Sequence, residues 1–471
     1  MSDVLARLWE LQRGDLPTHG GSTLAYVYDS GLAEADEVGR EALALYGSTN
    51  GLDPTVFPSL RKLENDLVGW AARLLQGTTA VGTVTSGGTE SILLAVQAAR
   101  DASPDIGSPS MVLPSTAHAA FHKAAHYFGV RAVVVDVDPE TFRARPDDMA
   151  TACDDTTVLV VASAPSYAHG VMDPVPAVAA VAAERGIRCH VDACIGGWVL
   201  PYLRLDGVDV PAFDFAVPGV TSISVDLHKY AYTPKGASIL LHRDAALRRA
   251  QFFAHADWPG YTMLNSTMQS TKSGAPVAAA WAVVQHIGDN GYRRLARTSY
   301  DAALRLADAV AAIDGLSVLA APSTTLVALR SDERADVFTL ADEMATLGWF
   351  VQPQLSFRDQ AASLHLTVSA ATAGRLDELV QALETATQAA QAVGPVRVPA
   401  ELVAAAGELD PATLDDAAFA GLLSLAGLAG TATSGTLPDR MAPVNALLDV
   451  APPRLREALL IAFLDRLMRP S

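Results

Sequence analysis

Residues 81–101 read Val81-Gly82-Thr83-Val84-Thr85-Ser86-Gly87-Gly88-Thr89-Glu90-Ser91 and on through ILLAVQAARD: a short apolar run, a glycine turn and a helix-length segment. The run reads as a buried strand, and the turn after it opens a helix. Glycines there let the backbone approach an anion, and the free N–H groups and dipole of a helix start favour a phosphate. A plain strand-to-helix turn capped by Thr89 is the competing reading. This segment alone does not choose between them.

Outward from this unit the alternation recurs. Val81–Val84, Met111–Leu113, Ala132–Val137, Val158–Ala162, Ile187–Val191 and Ile239–Leu241 are expected to be buried strands, with helical segments at 89–101, 117–128 and 174–186 between them. This pattern predicts an α/β fold, a mostly parallel central sheet with helices on both faces. Residues 59–76 have helical spacing in Leu60, Leu63, Leu67, Trp70 and Leu74. A smaller α+β domain begins near Leu316, with strands at Leu326–Leu329, Trp349–Gln352 and Leu364–Val368 and helices near 335–347 and from Ala373. The expected division is an N-terminal arm at 1–58, a large α/β domain at 59–314, a small α+β domain at 315–394 and a C-terminal helical segment at 395–471. The arm reads as a short helix followed by irregular, Gly/Pro-punctuated sequence. The C-terminal segment is rich in large apolar residues and is expected to dock on the small domain.

Bulk composition narrows the function. Of 471 residues, 50% are apolar and 18% charged, as in a packed globular protein. A formal net charge of -18 lacks the basic face that non-specific nucleic-acid binding needs. It also repels anionic substrates at long range, so any phosphate site must be built locally. Cys153, Cys189 and Cys194 form neither a disulfide framework nor a zinc spacing. The start, MSDVLARLWELQRGD, has no signal-peptide core, and no apolar run is long enough to span a bilayer. A cytoplasmic location is expected.

Three further segments carry chemistry. His190-Val191-Asp192-Ala193-Cys194 ends a predicted strand, where ligands of open parallel sheets sit. A carboxylate there suits a protonated pyridine nitrogen, as pyridoxal 5′-phosphate (PLP) requires, although a helix cap or ion pair would also use it. Ser222 to Gly236, SISVDLHKYAYTPKG, places Lys229 after a stretch of strand character, between His228 and Tyr230. A lysine in such surroundings can lose its proton and form an imine. Lys235 is a second cation six residues on, in a Pro-Gly loop where a solvated lysine is equally at home. Ser115-Thr116-Ala117-His118 follows another strand, and His118 is placed either to stack on a flat ring or to start a helix. A phosphate turn, a ring stack, a pyridinium partner and an imine lysine then occur in one alternating domain.

With these segments, the chain resembles the sphingosine-1-phosphate lyases of the group II PLP-dependent decarboxylase superfamily. The matching stretches are FPSLRKLENDLV, VTSGGTESILLA, AHAAFHKAAHYFGV, HGVMDPV, HVDACIGG, FDFAVPGVTSISVDLHKYAYTPKG, FFAHADW and GDNGY, from about residue 45 to about 370. The resemblance implies a type I PLP-dependent transferase-like fold and a homodimer with its active sites at the subunit interface. It implies Lys229 as the cofactor lysine, Asp192 on the pyridine nitrogen and His118 over the ring. Gly88, Thr89 and His228 would hold the cofactor phosphate, helped across the dimer by Thr271. Lys235 matches a second lysine of catalytic character in the lyases, and Asn50 lies on an arm that approaches substrate. Lys272 joins Lys235 in favouring a substrate phosphate.

The departures fall on the substrate side. Ser270-Thr271-Lys272-Ser273-Gly274 stands where relatives have a Gly-Ser-Arg-Pro-Gly-like loop. Gly260-Tyr261-Thr262-Met263 replaces a Gly-Gly-containing segment, and Ser48 replaces a histidine near the substrate phosphate in some bacterial relatives. No counterpart of the membrane anchor of eukaryotic relatives is expected. The expected activity is cleavage of a phosphorylated 2-amino-3-hydroxy compound, sphingosine-1-phosphate-like, to an aldehyde and an amine phosphate such as phosphoethanolamine. An L-amino-acid decarboxylase is the alternative within the same cofactor cage, and a non-catalytic PLP-binding protein is the alternative outside it.

Overall fold

The computed structural model describes residues 3–409, 411, 414, 416–425 and 438–470. Its centre is a seven-stranded sheet. In chain order the strands are β1 (Val81–Thr85), β2 (Ser110–Pro114), β3 (Arg131–Val135), β4 (Thr157–Ser163), β5 (Arg188–Asp192), β6 (Ser222–Asp226) and β7 (Ser238–His242). They lie in the order β1-β7-β6-β5-β4-β2-β3, and the pairs from β6 through β3 are parallel. Only β7 runs against its neighbours, β1 and β6. The six strands expected from apolar runs are therefore present, joined by β6.

Alternation along each strand divides the core in two. Val112, Val160 and Ala162 face one hydrophobic cluster with Leu67, Val178 and Tyr202, whereas Met111, Leu113, Leu159 and Val161 face another with Ile92, Phe121 and Ala124. Side chains two apart share a face, so a strand covered by helices on both sides must be apolar throughout. That is why the run at Thr157–Ser163 is buried at every position. Removing Phe121 from the second cluster would cost about 3–5 kcal/mol.

A second, antiparallel sheet orders β10 (Leu316–Val318), β11 (Leu326–Ser331), β13 (Ser363–Thr367) and β12 (Gln352–Gln354), after a short hairpin of β8 (Phe253–His255) and β9 (Met263–Asn265). The long helix Ala275–Ala312 ties the two sheets together. Val277, Val284 and Tyr292 in its first part enter the large core, and Ala303, Leu306 and Val310 enter the small one. Gly288, between Val284 and Tyr292, takes φ 61 and ψ 172 and kinks the helix, a conformation open to glycine.

The arm departs from the irregular reading, because it contains the helix Ala33–Tyr46, which packs along the Ala275–Ala312 helix. Its preceding strand-like segment hydrogen-bonds to the small sheet, with Leu24 N–H donating to Phe350 O and Thr367 N–H to Leu24 O. In the C-terminal segment, Asp342 accepts from the N–H groups of Met441 and Ala442 and so caps the helix Ala442–Val450 onto the small domain. Among the described residues, no helix is long and apolar enough to cross a membrane.

Candidate active site

The carboxyl ends of β1, β2, β5 and β6 open onto one cavity of about 440 Å³, lined by Gly88, Thr89, His118, Asp192, His228 and Lys229 among others. Each arrives by the same device: a parallel strand ends, and the turn beyond it carries the functional group. Asp192 and Asp226 are the last residues of β5 and β6, Lys229 lies three residues beyond, and Gly88 opens the helix Gly88–Asp101 after β1. A Cβ at Gly88 would stand 2.7 Å from Cys194 Sγ and 2.8 Å from Asp226 Oδ1, so only glycine fits. No side chain caps this helix, and the Nδ1 atom of His228 on the same wall is buried without a hydrogen-bond partner. An uncapped helix start beside an orphaned imidazole nitrogen is a ready site for a phosphate.

Lys229 is not the depressed lysine its flanking residues suggest. Burial acts to lower its pKa, but Asp226 Oδ2 at 2.8 Å, with Tyr28 and Cys194 beyond, outweighs burial and pushes it well above the usual lysine value. The reciprocal holds for Asp226: burial opposes its charge, and Lys229 and His228 bring it below the usual carboxylate range. The two form a charged pair at the cavity floor. Lys235 behaves oppositely. The residue reaches solvent, but its ammonium turns inward, donating to Tyr26 O at 2.8 Å and lying 5.1 Å from the centre of the Tyr28 ring. Desolvation, then the neighbouring charge of Lys229, lower it to about 8.

Comparison with known proteins matches residues 32–332 to the pyridoxal-dependent decarboxylase conserved domain. This chain belongs to the pyridoxal-dependent decarboxylase family. Residues 400–466 match a second model, "Pyridoxal-dependent enzyme, C-terminal putative HTH domain". The chain is 37% identical over 346 residues to a sphingosine-1-phosphate lyase of Dictyostelium discoideum, covering 73% of this chain and 64% of that protein's length. It is 34% identical over 300 residues to a "Probable L-tyrosine/L-aspartate decarboxylase" of Methanothermobacter thermautotrophicus, covering 64% of this chain and 81% of that one. Among solved structures, the sphingosine-1-phosphate lyase of Burkholderia pseudomallei is similar with a TM-score of 0.78 and 35% identity, over 83% of this chain and 92% of that one.

The cofactor of this pyridoxal-dependent decarboxylase family member is PLP, and the cavity suits it. The uncapped helix start and His228 would suit its phosphate, Lys229 its aldehyde and Asp192 its ring nitrogen. His118 stands at the mouth, edge-on to Tyr167 at 6.4 Å, and Tyr167 is itself stacked at 4.0 Å on His365 of β13. Motif reading missed Asp226, Tyr28 and Tyr167. Asp226 had a signal, because an acid three residues before the lysine is within ion-pair reach. Tyr28 had none, since it comes from the arm.

Asn50 and Lys272 on the substrate side, and Thr271 expected at the cofactor phosphate, do not line this cavity, and neither does Lys235. Asn50 Oδ1 accepts the backbone N–H groups of Leu52 at 3.0 Å and Lys272 at 3.3 Å. The Lys272 ammonium donates to Val84 O at 2.5 Å and pairs with Glu64 Oε2 at 3.2 Å, inside a separate cleft. Thr271 is exposed on the same loop.

Proposed function

We propose that the chain is a PLP-dependent carbon–carbon lyase, a cytoplasmic homodimer that cleaves a phosphorylated 2-amino-3-hydroxy compound to an aldehyde and an amine phosphate. The observation that carries this reading is the inward ammonium of Lys235, lowered to about 8 beside the Lys229–Asp226 pair. Similarity to the slime-mould and bacterial lyases supports it.

Bound PLP supplies an aldehyde for amines and a protonated ring that accepts the electron pair of the broken bond. The chain's own residues do the rest. Gly88, Thr89 and His228 would take the phosphate, Asp192 would keep the ring nitrogen protonated, and His118 would cover the ring. Asp226, 2.8 Å from the Lys229 amine, would hold and orient that amine towards the cofactor aldehyde. For the C2–C3 bond to break, the C3 hydroxyl must lose a proton and C2 must gain one. Lys235, near neutrality and fixed by Tyr26 and Tyr28, is suited to move the hydroxyl proton. Thr271 would act on the partner's cofactor, and Asn50 would orient the loop that carries it.

The C-terminal segment has no evident part in nucleic-acid binding, because residues 400–466 hold nine Asp/Glu against four Arg and no Lys. One observation keeps amino-acid decarboxylation as the second reading: the ammonium of Lys272 is consumed by Glu64 and Val84, leaving one fewer cation for a substrate phosphate. A mass-spectrometric product screen over amino-alcohol phosphates and amino acids tests the choice. Aldehyde and amine phosphate are expected; carbon dioxide from amino acids alone would overturn it.

A further inference from the structure

β5 and β6 run in parallel, with His190 opposite Ser222 and Asp192 opposite Ser224. Residues two apart on a strand share a face, so these four side chains form one row. His190 Nδ1 lies 2.9 Å from Ser222 Oγ, and its Nε2 lies 3.2 Å from Ser224 Oγ. Ser224 Oγ is in turn 3.4 Å from Asp192 Oδ1, which also accepts the Cys194 N–H at 3.1 Å. Cys194 Sγ donates to Ser224 Oγ at 3.3 Å. The row is dry: His190 and Ser224 are 0% exposed and Ser222 4%. Phe121 meets the His190 ring edge-on at 5.9 Å.

Counting protons gives the row a direction. Ser224 has one hydroxyl proton and two neighbours that could accept it, the Asp192 carboxylate and His190 Nε2. A carboxylate is the stronger acceptor. Ser224 therefore donates to Asp192, His190 carries its proton on Nε2 and donates to Ser224, and Ser222 donates to Nδ1. Successive bonds of this sense polarise one another. Burial, opposed by Asp192, lowers His190 to about 4, so the ring is neutral as this assignment requires.

We propose that Ser222, His190 and Ser224 are positioning residues, a directed row of hydrogen bonds that fixes where the Asp192 carboxylate points. The row thereby keeps a pyridine nitrogen set against Asp192 protonated; this rests on the cofactor placement proposed above. The other titratable groups around Asp192 are Glu90, Cys194, Asp226, His228, Lys229, His118 and Tyr167, which line the same cavity.

The test uses holoenzyme loaded with PLP labelled with nitrogen-15 in the ring, whose resonance is followed against pH by solid-state NMR. PLP affinity is measured in parallel by titrating the cofactor-free protein. In Ser224→Ala and His190→Phe the ring nitrogen should lose its proton about one pH unit lower than in the parent, with PLP bound up to about tenfold more weakly. Ser222→Ala, one link further away, should shift both less. Should His190→Phe fail to fold, Ser224→Ala, which removes a single oxygen, decides alone. A Ser224→Ala resonance and affinity equal to the parent's, while Asp192→Ala moves both, would overturn the row. If Asp192→Ala itself leaves the ring nitrogen unmoved, the cofactor placement fails first and the row with it.

Discussion

The cavity at the strand ends and the loop at residues 266–274 make an instructive pair, because both carry cations expected at a phosphate and only one delivers them to a common space. Around the cavity, each group sits on or just beyond a buried strand, so the sheet fixes its position, and glycine at 88 leaves room for a ligand. The loop is instead stitched to its own chain. Gly51 N–H donates to Lys272 O, Met268 N–H to Glu90 Oε1, and the Lys272 amine to Val84 O. Cofactor chemistry belongs to the rigid sheet, and whatever the loop contributes depends on what packs against it.

The contrast can be broken by substitution on either side. Lys229→Ala should show the largest effect, a loss of at least about 10³-fold in turnover, measured by product formation. Next, Lys235→Ala should bind PLP as tightly as the parent, yet lose about 10²–10⁴-fold in kcat. The pH dependence follows from the sign of the shift. A lysine acting as base works only unprotonated, so parent kcat/KM should rise as pH increases through about 8, and this limb should vanish in Lys235→Ala. A flat parent profile would remove Lys235 from proton transfer. Tyr28→Phe, which takes a hydroxyl from the space beside Lys229, should cost about tenfold at most in kcat with little change in thermal stability. The smallest effect on chemistry is expected from Lys272→Met. Its loss should appear as about 1–2 kcal/mol of stability in a denaturant melt, with turnover near parental. A variant that is stable but inactive would return Lys272 to the substrate.

Much of this was legible in the sequence, for physical reasons that also explain the rest. Strands such as Val158–Ala162 announce themselves because two-sided burial demands an unbroken apolar run, and Gly88 and Asp192 stand out because they follow such runs directly. The helix Ala33–Tyr46 was hidden by the glycines and prolines around it and by its partner, the Ala275–Ala312 helix, far along the chain. Lys229 lines the cavity, but its charge was not legible, since its ionisation is set by Asp226 across a turn and not by its immediate neighbours. Tyr28 was out of reach altogether. It meets Tyr230 at 5.1 Å only because the arm has already hydrogen-bonded to the small sheet.

Borohydride reduction of the PLP-loaded protein, followed by peptide mass spectrometry, examines the cofactor lysine most directly. A single pyridoxyl-phosphate mass addition at Lys229, with loss of the yellow colour, is the predicted outcome. A colourless protein that takes up no PLP, or a label at Lys235 or another lysine with Lys229 unmodified, would contradict it.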